Sequence, residues 1–73
     1  MNLKFATVEG QKVFVGDYVG FKSDIEQSGK IIKIKRNIMD QVVLVLENEY
    51  GFDGDYLQGC TTTEQLPCDC WIL

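Results

Sequence analysis

The feature that most limits what this chain can fold into is a two-residue rhythm. In "VGDYVGFKSDIEQSGKIIKI", residues 15–34, apolar and polar side chains alternate, pause over a polar stretch, pass a glycine and alternate again. Successive side chains of a β-strand point to opposite faces, so this rhythm builds half-buried strands. No window carries the 3.6-residue repeat of an amphipathic helix.

Read along the chain, residues 5–8 alternate, "EGQK" at 9–12 turns about Gly10, and residues 13–15 resume the strand, which together make a hairpin. Gly16-Asp17 marks the next break. Val19 and Phe21 then share one face, with Tyr18, Gly20 and Lys22 on the other. "KSDIEQSG" at 22–29 reads as a polar loop ending at Gly29, where a positive φ has no steric cost. In residues 30–35, strict alternation puts Ile32 and Ile34 on one face and Lys33 and Lys35 on the other beside Ile31. "RNIMD" turns the chain into "QVVLVLE", which is apolar on both faces and so reads as a central strand. "NEYGFDGDYLQG" holds too many glycines for a helix and reads as a bent segment, with room for one helical turn near 53–57, running into a strand at 56–62. Pro67 ends that strand, and "CDCWIL" supplies the last, with both its thiols on one face and Trp71 on the other as a core or barrel-mouth residue.

Five or six short antiparallel strands in 73 residues make a single all-β domain, spanning 1–73, and closure into a small barrel hides the edges such a domain has no means to cover. The order of its residues adds a resemblance. Gly16-Asp17, Val19 and Phe21, a polar loop, Gly29, then Ile31 or Ile32 with Ile34 and "VVLVLE" resemble the KOW-type SH3-like barrel of ribosomal proteins and transcription elongation factors, over residues 13–47. The ending "GF-x-G-x-YL…CW" is similar to that of small SH3-like proteins of tailed phages. The first resemblance implies an RNA or nucleoprotein binder in transcription or translation. The second implies a phage-encoded inhibitor or modulator of a host protein.

Charge is split along the chain. All seven Lys and Arg lie between Lys4 and Arg36, with four acids among them, and residues 37–73 hold seven acids and no base. KOW loops that contact RNA are basic, whereas "KSDIEQSG" sets one lysine against Asp24 and Glu26. Affinity for nucleic acid comes mainly from Lys and Arg neutralising phosphates, so the acidic loop argues against carrying over the RNA function.

Two candidate sites follow. The acidic-aromatic segment sets Glu47, Glu49, Asp53 and Asp55 among Tyr50, Phe52 and Tyr56. Carboxylates beside aromatic faces suit a cationic partner, such as a protein with a basic surface; the phage resemblance implies that this partner is a host nucleic-acid-binding or defence protein. In the competing reading the rings cap the barrel and the acids keep a loop soluble. The alternative nucleic-acid site is Lys22, Lys30, Lys33, Lys35 and Arg36; Lys30 and Arg36 fall on the face opposite Lys33 and Lys35, so these do not form one stripe, and they equally suit a solvated strand.

No cofactor or metal is expected. Cys60, Cys68 and Cys70 fall one ligand short of a structural zinc site, and "FDGD" lacks the spacing of a calcium loop. With no histidine, neither a Ser–His–Asp nor a Cys–His arrangement can be built, and the reading is non-enzymatic. An odd thiol count argues against a secreted disulfide scaffold. The start "MNLKFATVEG" lacks the apolar core of a signal peptide, and the expected setting is the cytoplasm, with no membrane contact.

Overall fold

Glu9 and Gly10 take left-handed backbone angles, φ 51° and 79°. A two-residue turn of this hand matches the twist of paired strands, so it folds β1 (Phe5–Val8) onto β2 (Gln11–Phe14). The structure, a computed structural model, describes residues 2–54 and 57–73. Seven strands appear among them, where the sequence suggests five or six. They form two antiparallel sheets: β1 with β2, and a five-stranded sheet in the order β6-β5-β4-β3-β7. The remaining strands are β3 (Tyr18–Ser23), β4 (Ile25–Arg36), β5 (Val42–Glu47), β6 (Thr62–Gln65) and β7 (Cys70–Ile72).

The core lies between the two sheets. Val19, Phe21, Ile31, Ile34, Leu44, Leu46 and Cys70 face it from the larger sheet, and Ala6, Val8 and Val13 from the hairpin. Phe52 and Leu57 close it from the long connection after β5. The end of β4 runs past β3 and gains other neighbours: Leu3 N–H donates to the Ile34 carbonyl at 2.7 Å, and Asn2 bridges Lys35. At the far side the Glu9 carboxylate accepts the Ile72 N–H at 2.6 Å. The hairpin is thus tied to both margins of the larger sheet.

The structure departs from the sequence reading at four places. Residues 22–29 are no loop: β3 and β4 pair through Lys22↔Glu26 to Ser23↔Ile25, and only Asp24, at φ 67°, turns the chain. The polar side chains there had hidden a strand whose reason is its partners. Gly29 accordingly has no positive φ; it clears space, since a Cβ would stand 2.9 Å from Leu46 Cβ and 3.2 Å from the Phe52 ring. Next, β4 carries a bulge between Ile31 and Lys33. The extra residue shifts the alternation by one, so Ile31 and Ile34 are both buried and Ile32 is exposed. The strand expected at 56–62 lies instead at Thr62–Gln65, after turns stapled by Phe52 N–H to the Cys60 carbonyl and Gln58 N–H to the Gly54 carbonyl. Finally, Pro67–Asp69 is a 3₁₀ turn, so Cys68 is exposed there and only Cys70 enters the closing strand, buried. Trp71 is half-buried against Gly20, on the sheet face away from the core.

Candidate functional site

Cross-strand partners share a face, so the ladder identifies what stands on the outside of the five-stranded sheet. Tyr18, Gly20 and Lys22 of β3 oppose Lys30, Ser28 and Glu26 of β4; beyond the bulge, Lys33 and Lys35 oppose Val45 and Val43 of β5. The bulge therefore places Lys30, Lys33 and Lys35 on one outer face, where strict alternation had split them. Carboxylates stand among them there. Lys30 lies opposite Glu47, and Lys35 Nζ is 2.8 Å from Glu64 Oε2 on β6. Arg36 bonds the Asp40 carbonyl at 2.9 Å and its carboxylate at 3.7 Å. Lys22 and Lys33 are exposed, and Lys33 makes no ion pair among the described residues.

The acidic-aromatic segment divides at Gly51. Phe52 is only 1% exposed and meets the Phe21 ring edge-on at 5.4 Å, so it is a core residue. Asp53 is held by its backbone: the Gln27 side-chain amide donates to the Asp53 carbonyl at 2.9 Å and accepts the Asp53 N–H at 3.0 Å. This clamp fixes the connection against β4. Asp55 and Tyr56, also expected in the site, lie outside the described residues.

What remains exposed sits on a turn. Asn48 Oδ1 accepts the Tyr50 N–H at 3.0 Å, and the Asn48 carbonyl accepts the Gly51 N–H at 2.9 Å, with Gly51 at φ 90°. An Asn side chain closing such a turn fixes the two residues between, Glu49 and Tyr50, toward solvent. Tyr50 is 91% exposed. With Glu47 and Glu49 it lines a cleft of about 330 Å³ whose other walls are Tyr18, Ser28, Gly29, Lys30 and Asn48. The cleft thus draws Glu47, Glu49 and Tyr50 from one expected site and Lys30 from the other. Two carboxylates against one ammonium leave it an acid in excess, and neither Glu47 nor Glu49 forms an ion pair among the described residues. Tyr18, Ser28 and Asn48 were not singled out from sequence. Tyr18 carried a signal, an aromatic on the polar face of an alternating strand. Asn48 carried another, in the "NEYG" spacing of an Asn-closed turn.

The thiols stand apart from the cleft. Burial pushes the Cys70 thiol up to about 11, with the Asp69 carboxylate and Cys68 adding to the rise, so it stays protonated and a poor nucleophile near neutrality. Among the described residues no three metal-ligating side chains converge. No helix there is long and apolar enough to cross a membrane. Comparisons with protein-family models, curated proteins and solved structures return no significant match.

Proposed function

We propose that this chain is a non-enzymatic protein-binding module, a small SH3-like barrel that receives a Lys or Arg side chain of a basic partner surface in the cleft between Tyr18 and Tyr50. The observation that carries the reading is the placement of Tyr50, almost wholly exposed on an Asn-closed turn beside two carboxylates with no ion-pair partner in the described residues. A ring carried on a hydrogen-bonded turn needs no backbone ordering on binding, and its face attracts a cation. Glu47 and Glu49 supply the opposite charge, and the chain's net charge of −4 favours a basic partner. The resemblance to phage SH3-like proteins gives this reading a biological form, an inhibitor or modulator docking on a host protein.

One observation favours a second reading, that of a KOW-type RNA binder. The bulge gathers Lys30, Lys33 and Lys35 on one face. Against it, Glu47 and Glu64 stand among these lysines, and phosphates would meet a mixed surface. Titrating the protein at physiological salt with a short arginine-rich peptide and, separately, with mixed single- and double-stranded RNA distinguishes the two. The proposed module binds the peptide, more weakly as salt rises, and E47Q/E49Q and Y50A abolish that binding. Micromolar or tighter RNA binding that is lost in K33A and K35A, with a log-linear fall with salt, establishes the second reading instead.

A further inference from the structure

The β4–β5 turn, at the opposite end of β5 from the cleft, is built for display. Asn37 Oδ1 accepts the Met39 and Gln41 N–H groups at 2.9 and 3.0 Å, while its amide nitrogen donates to Gln41 Oε1 at 3.2 Å. The Asn37 carbonyl accepts the Asp40 N–H at 3.0 Å, the Gln41 carbonyl accepts the Asn37 N–H at 2.9 Å, and Arg36 grips the Asp40 carbonyl. Nothing in this network uses the side chains of Ile38 and Met39. They stand at the tip, Ile38 fully exposed and Met39 75% exposed. Holding two adjacent large apolar side chains in water on a hydrogen-bonded turn forgoes the stabilisation that burying them would bring. The fold recovers little of it from its own contacts.

We propose that Ile38 and Met39 form a preorganised plug that inserts into an uncharged apolar pocket of a partner protein. The electrostatics of the tip point to that occupant. The two cations beside it, Lys35 and Arg36, are each paired with a carboxylate, Glu64 and Asp40. The tip therefore arrives with its charges already matched, unlike the basic flank that an anionic bilayer or a nucleic-acid groove attracts. A net charge of −4 further opposes both. Ile and Met fill irregular pockets well, and a turn whose backbone is held in advance removes part of the ordering cost on binding. The plug lies roughly 20 Å from the cleft at the usual rise per residue of a strand, so it is a separate contact, independent of the cleft's assignment.

The test places a diazirine-bearing aliphatic amino acid at position 39 of the full chain and irradiates it in lysate of the source cells. One protein adduct is expected, mapping to apolar residues of a pocket. Its yield should fall at least tenfold with excess unlabelled wild-type chain and with E47Q/E49Q. It should be unchanged by excess I38D/M39D, which keeps the wild-type melting temperature, and should vary less than twofold as salt is raised severalfold. Adducts scattered over many proteins, an adduct only with a second copy, equal competition by I38D/M39D, no adduct at all, or wild-type flotation with equimolar phosphatidylcholine–phosphatidylserine vesicles that I38D/M39D loses would each overturn the proposal.

Discussion

Two turns flank β5, and both are closed by an asparagine in the same way. Asn37 Oδ1 caps the N–H of Met39, Asn48 Oδ1 caps that of Tyr50, and each asparagine carbonyl accepts the N–H three residues on. Their cargo differs. One displays Ile38 and Met39 with neighbouring charges paired; the other displays Glu49 and Tyr50 beside carboxylates that have no ion-pair partner among the described residues. They differ also in what supports them. The Asn37 turn is self-contained, whereas the Asn48 turn runs straight into Phe52, which is anchored in the core, and Asp53, which Gln27 clamps. A common backbone device thus presents two chemistries, and the cleft end depends on distant parts of the fold while the apolar end does not.

That dependence can be broken most strongly at Phe52. Phe52→Ala removes a fully buried ring from against Phe21 and should cost about 3–5 kcal/mol in urea unfolding, close to the whole stability of so small a domain. A cost of less than about 1 kcal/mol would mean that the connection is not anchored there. The two caps give a smaller and sharper contrast. Asn37→Ala loses three side-chain hydrogen bonds and should cost about 1–2 kcal/mol. Asn48→Ala loses the one described and should cost about 0.5–1 kcal/mol, with a larger effect on peptide binding than on stability.

A pH effect comes next. The folded Cys70 thiol titrates near 11 against 9.0 for an unperturbed one, so the folded chain holds its proton more tightly than the unfolded chain. Its contribution is complete below pH 9 and is lost as pH rises from 9 to 11. The urea midpoint should fall over that range, and Cys70→Ala should flatten that part of the fall. The smallest expected change is at the surface. Glu64→Gln breaks the ion pair between Lys35 and half-exposed Glu64 and should cost at most about 1 kcal/mol.

The sequence made the strands legible where burial on one face imposes alternation, as at Val19 and Phe21, and where turn chemistry is local, as at Glu9-Gly10. It concealed what distant partners decide. "IEQS", residues 25–28, has no apolar period, yet it is strand because β3 lies beside it and Gln27 reaches Asp53. The bulge at Ile32 leaves no mark in composition, so the faces of Ile31, Ile32 and the lysines were misassigned. In the acidic-aromatic segment all the rings looked alike. Phe52 is drawn inward by the gap left over Gly29, while Tyr50, two residues earlier, is held out by Asn48. Half of the candidate site was visible as residue types, and its division between core and surface was not.

The division at Gly51 is the central claim, and amide chemical shifts report on it residue by residue. In a ¹H–¹⁵N NMR titration with the arginine-rich peptide, the expected shifts are confined to Tyr18, Ser28, Gly29, Lys30 and residues 47–51, with Gln27, Phe52 and the Ile38–Met39 turn unmoved. Shifts centred on Lys33 and Lys35, or none anywhere at saturating peptide, would contradict the account.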